Sequence, residues 1–97
     1  MLVEGRGVII EQVHYRPWRY ALTLFDNDMV EGHLVMQGWE ETHDMKAWYE
    51  QNKNKDVRLL LQGGRTLEVT LKGLKIHESG HYSQAEIEIM GAICKGR

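Results

Sequence analysis

The chain has a single cysteine, Cys94, so no disulfide can form within it, and reducing, cytoplasmic conditions are the expectation. Positive charge is not in surplus either: 12 Lys and Arg face 14 Asp and Glu, for a formal net charge of -2. That balance argues against general binding to a phosphate backbone, while leaving a local patch open. No run approaches the roughly 18 apolar residues of a membrane span. The opening Met-Leu-Val-Glu-Gly-Arg-Gly lacks the basic-then-apolar form of a signal peptide. Neither a membrane partner nor secretion is expected. Catalytic signatures are also missing. Neither Cys-x-x-Cys nor His-Glu-x-x-His occurs, and Ser79 and Ser83 sit in no Gly-x-Ser-x-Gly frame. Gln62-Gly63-Gly64-Arg65 lacks the Lys-Ser/Thr of a phosphate loop. No enzyme activity and no cofactor are expected.

What is present is a β pattern. Ninety-seven residues, 42% of them apolar, suit one domain at the small end for a self-sufficient core. Residues 2–15 read as an untidy strand weakened by Gly5 and Gly7, and Arg16-Pro17 breaks it. From Trp18 to Asp26, Trp18, Tyr20, Leu22 and Leu24 alternate with Arg19, Ala21, Thr23 and Phe25. Asp26-Asn27-Asp28 is a turn cluster, and Met29 to Gly38 follows with Val30, Gly32, Leu34 and Met36 on one face. A three-residue turn then sets Leu24 against Val30, Leu22 against Gly32, Tyr20 against Leu34 and Trp18 against Met36. Glu41 to Asn52 reads as the one helix, capped by Thr42 or Asp44, with Met45, Trp48 and Tyr49 at i, i+3 and i+4.

The stretch from Asp56 to Gly91 predicts a three-stranded meander. A Gly63-Gly64-Arg65 loop pairs Leu61 with Leu67, Leu59 with Val69 and Val57 with Leu71, keeping one apolar face. A Glu78-Ser79-Gly80 loop pairs His77 with His81, Leu71 with Ile87 and Val69 with Ile89. Leu74, Ile76 and Tyr82 then fall on the wet face near the hairpin tip. Either Gly73 carries a bulge that turns them inward, or they form an exposed contact patch; the patch is favoured. The element order is β-β-β-α-β-β-β, mainly β, as a small antiparallel barrel or, as runner-up, a two-sheet sandwich.

Candidate sites are few. His77 and His81, with Glu78, are the strongest metal candidates and still weak ones, because a zinc site needs three or four held ligands. Glu40-Glu41, Asp26/Asp28, Glu86/Glu88 and His43-Asp44 read as solvated polar groups rather than acid–base pairs. The densest aromatic–arginine cluster is His14-Tyr15-Arg16-Pro17-Trp18-Arg19-Tyr20. Leu74, Ile76, Tyr82, Arg16, Trp18 and Arg19 are therefore the candidate partner-binding residues. The expected function is a non-enzymatic interaction or assembly domain that docks on a protein or on a second copy, of the kind found in phage, plasmid and bacterial accessory genes. The alternative is a barrel module for a small ligand or single-stranded nucleic acid.

Overall fold

Among the described residues, alternating apolar positions build six antiparallel strands, and one helix joins the two halves. The structure, a computed structural model, describes residues 2–9 and 18–94, with backbone alone at 7–9 and 18. The strands are β1 (Leu2–Ile9), β2 (Trp18–Leu24), β3 (Met29–Gln37), β4 (Asp56–Leu61), β5 (Thr66–Ser79) and β6 (Tyr82–Ile93), with α1 (Trp39–Asn52) between β3 and β4. Residues 10–15 of the predicted first strand, the Arg16-Pro17 break and the last three residues lie outside the described residues. The strands form one curled sheet in the order β1-β2-β3-β6-β5-β4. One continuous sheet replaces the two stacked sheets of the sandwich alternative. Gly7–Ile9 of β1 also pair with Leu59–Leu61 of β4.

The β2–β3 hairpin has the expected register, with Leu24 opposite Val30, Leu22 opposite Gly32 and Tyr20 opposite Leu34. Its loop closes through Phe25 N–H donating to Met29 O at 2.9 Å, and Asp28 takes the left-handed conformation (φ 66) at the last loop position. The β4–β5 hairpin uses the same design, and this corrects its predicted register. Leu61 N–H donates to Arg65 O at 2.8 Å, so the loop is Gln62-Gly63-Gly64. Val57 faces Val69 and Leu59 faces Leu67, two residues from the predicted pairing but on the same faces. The reason lies at the last loop position, which calls for positive φ. Gly64 occupies it at φ 95, whereas the predicted loop would have put Arg65 there.

The β5–β6 hairpin is corrected more deeply. Its loop is only Gly80-His81, closed by Ser79 opposite Tyr82, with Gly80 at φ 52 as a type II′ turn requires. A bulge between Leu71 and Gly73 absorbs the extra residue. Beyond it Leu74 faces Ile87 and Ile76 faces Ala85, while before it Leu71 faces Ile89. The bulge therefore changes the sidedness of β5 but not of β6.

Inward-facing side chains of the strands after β1 fill one core: Tyr20, Leu22, Leu24, Val30, Leu34, Val57, Leu59, Leu61, Leu67, Val69, Leu71, Ala85, Ile87 and Ile89. Met45 and Trp48 of α1 complete it, and Tyr49 packs half-buried beside them, as the helical spacing predicts. The helix lies on β6, β3 and β5. It begins earlier than predicted and without the expected cap. Gly38, at φ 114, is the N-cap residue, no side chain caps the helix, and the Gly38 N–H donates to Ser83 O at 2.9 Å. Chain leaving β3 thus turns directly into the helix, and Glu40 and Glu41 occupy its first turn, where negative charge is favoured.

Thr42 is consequently inside the helix rather than at its cap. It is buried, and its hydroxyl has no hydrogen-bond partner. A buried hydroxyl without a partner costs about 1–3 kcal/mol, and threonine and valine have similar helix propensities. Thr42→Val is therefore expected to raise stability by about 1 kcal/mol, read as an upward shift in the thermal midpoint. A fall in the midpoint would mean that the hydroxyl is satisfied in solution.

Candidate functional site

Outward-facing residues of β1, β2, β3 and β6 make one continuous surface, because the pairings place them in rows. At one end, Leu2 faces Thr23, Thr23 faces Glu31, and Glu31 faces Met90. The next row carries Phe25, Met29 and Ala92, with Met29 opposite both. Leu2, Phe25, Met29 and Met90 are 66%, 45%, 39% and 40% exposed. Glu31 is the one carboxylate within these rows. Leucine, phenylalanine and methionine in a strand ordinarily turn inward, so four of them on one outer face form a distinct apolar patch.

At the other end of the same surface the rows turn basic and amidic. Arg6 lies directly opposite Arg19, and Arg19 opposite Val35. Gln37 lies opposite Gln84. These side chains, with Glu4, Ala21 and Gln62, line a concavity of about 650 Å³. The β4–β5 turn supplies Gln62, which is tied to β1 through Gln62 N–H donating to Arg6 O at 3.1 Å and Arg6 N–H donating to Gln62 Oε1 at 3.4 Å. Gln37 Nε2 donates to Gln84 Oε1 at 3.1 Å, and the Tyr82 hydroxyl donates to the same oxygen. Gly5 lets the Tyr20 ring lie against β1, since a Cβ there would stand 2.6 Å from the Tyr20 hydroxyl. Neither guanidinium is ion-paired to a described carboxylate.

A smaller hollow of about 110 Å³ lies at the β5 bulge, lined by His33, Gly73, Leu74, Lys75, Glu86 and Glu88. His33 Nε2 is 3.5 Å from Glu86 Oε1, and Lys75 lies opposite Glu86. Glu86 thus lies within ion-pair distance of His33, with Lys75 opposite it in the ladder.

Comparison with family models, curated proteins and solved structures returns no match.

The predicted site residues are dispersed. Leu74 and Ile76 are half-buried on the inner side of β5, opposite Ile87 and Ala85, whereas Tyr82 is exposed on the outer side. The three do not share a face, because the bulge acts on β5 alone. His77 lies opposite Gln84 and His81 sits in the turn, so they are not the cross-strand neighbours that the predicted loop made them. Among the described residues no three of His, Cys, Asp and Glu gather closely enough to hold a metal. Arg16 is outside the described residues, and only the backbone of Trp18 is described. Of the described residues of the aromatic–arginine cluster, Arg19 and Tyr20 line the basic cleft. Arg6, Gln37, Gln62 and Gln84 escaped the sequence analysis. The alternation of Glu4 and Arg6 with Val3, Gly5 and Gly7 was the available signal.

Proposed function

We propose that this chain is a non-enzymatic contact domain that associates with a second copy of itself through the apolar end of its outer sheet face. The exposure of Leu2, Phe25, Met29 and Met90 on one surface carries this reading. Apolar patches rimmed by polar groups mark contact sites, and burying one such side chain fully contributes roughly 1.5–3 kcal/mol. The formal charge of -2 opposes the meeting of two copies only weakly. The inward positions of β2 to β6 are occupied by packed side chains, which favours outer contact over an interior ligand.

Sheet closure belongs to the same proposal. With Gly7–Ile9 bonded to Leu59–Leu61, each strand has two neighbours, and we read the curled sheet as a small closed barrel. A barrel has no free edge for strand addition, so association falls to side-chain faces. The exposed thiol of Cys94 suits a reducing, cytoplasmic compartment. Among the described residues no helix is long and apolar enough to cross a membrane.

Phe25→Glu combined with Met29→Ser tests the association surface by light scattering. The wild-type mass is expected to exceed 11.3 kDa and to rise with concentration. The double variant is expected to stay monomeric and to melt as the wild type does. A wild-type protein that remains at 11.3 kDa at every concentration contradicts self-association.

A further inference from the structure

The cleft at the opposite end of the outer face is independent of the association surface and has a chemistry of its own. Arg6 and Arg19 are direct cross-strand partners, both exposed on the outer side of the sheet. Like charges placed directly opposite each other destabilise a sheet unless something lies between them. Two guanidinium forks a strand apart present several N–H donors toward one region, the arrangement that grips a planar or tetrahedral oxyanion. Gln37, Gln62 and Gln84 line the same cleft and add amide groups around it. The volume of about 650 Å³ falls within the range of small-molecule sites and exceeds what an inorganic ion fills.

We propose that this cleft binds a small organic molecule through a terminal oxyanion, a phosphate or a carboxylate, held between Arg6 and Arg19. The charges around the pair select a compact ligand over a long polyanion. Glu4 stands two residues from Arg6 and lines the cleft, and Glu86 lies opposite Val35, the cross-strand neighbour of Arg19. A nucleic-acid backbone leaving the arginines would run into these carboxylates, and the net charge of -2 offers it no compensating field. The glutamine amides are placed to hydrogen-bond the uncharged part of a small ligand.

The test is NMR observation of the arginine Nε–H and glutamine amide groups during titration with phenyl phosphate, benzoate and a short oligothymidylate. Saturable shifts at Arg6, Arg19 and the cleft glutamines with phenyl phosphate or benzoate are expected, and the tighter of the two identifies the oxyanion. Arg19→Gln is expected to weaken that binding about tenfold or more. Arg19→Glu, which gives Arg6 an ion-pair partner, is expected to melt higher than the wild type and to bind neither probe. Shifts absent with both small anions, shifts unchanged in Arg19→Gln, or binding of the oligothymidylate alone would each overturn the proposal.

Discussion

Trp48→Ala is expected to cost about 3–5 kcal/mol, the usual penalty for removing a buried tryptophan from a core. Trp48 is 6% exposed and belongs, with Met45, to the cluster that also holds Leu34, Ala85 and Ile87. A helix of 14 residues is marginal on its own, so docking supplies most of its stability. Its other anchors are Met45 and the half-buried Tyr49, neither of which has the area of an indole. Small domains are stable by about 5–15 kcal/mol in total, so the loss is a large fraction of the whole. Circular dichroism during heating reads it directly, with each kcal/mol moving the midpoint by roughly 4–8 °C in a domain of this size. An unchanged midpoint would mean that Trp48 does not dock the helix.

Gly32→Ala is expected to be damaging although it adds one methyl group. Gly32 lies opposite Leu22, and a Cβ built on it would stand 2.1 Å from the Ala21 carbonyl oxygen and 2.8 Å from the Leu22 Cα. Both are backbone atoms of the neighbouring strand, so no side-chain rotation relieves the clash. The ladder itself must open, and overpacking that moves backbone costs about 3 kcal/mol. Gly91, opposite Val69, is in the same position between β6 and β5, with the Glu68 oxygen 2.1 Å from its would-be Cβ. The two glycines let neighbouring strands approach closely. Urea unfolding of Gly32→Ala checks the effect. A midpoint equal to that of the wild type would mean that the strands lie further apart in solution.

Much of the fold was legible because amphipathic strands advertise their faces. Leu22, Leu24, Val30 and Leu34 alternate with polar or exposed positions, and the β2–β3 register followed from one turn cluster. Met45, Trp48 and Tyr49 marked the helix face correctly. Register was harder where the turn could be cut in more than one way. Gln62-Gly63-Gly64-Arg65 offers two three-residue loops with identical faces, and only the need for positive φ at the last position separates them. At the β5–β6 tip, a bulge near Lys72 and a shorter loop compensate each other in length, and hydrophobic alternation cannot register both. That compensation split Leu74 and Ile76 from Tyr82. The cleft was illegible for a different reason. Its residues come from four strands and a turn, and the decisive pair, Arg6 with Arg19, depends on a β1–β2 register blurred by Gly5 and Gly7. The pairing of β3 with β6, which joins the apolar rows, links residues some sixty positions apart and leaves no local mark.

Methionine methyl NMR over a concentration series tests the association surface most directly, because the chain has five methionines and they divide by position. Met29 and Met90 lie on the exposed apolar rows, and Met45 is in the core. Self-association through the outer face predicts that the Met29 and Met90 methyl signals move and broaden as the protein is concentrated, while the Met45 signal stays in place. Signals of Met29 and Met90 that remain fixed from micromolar to millimolar protein would contradict it.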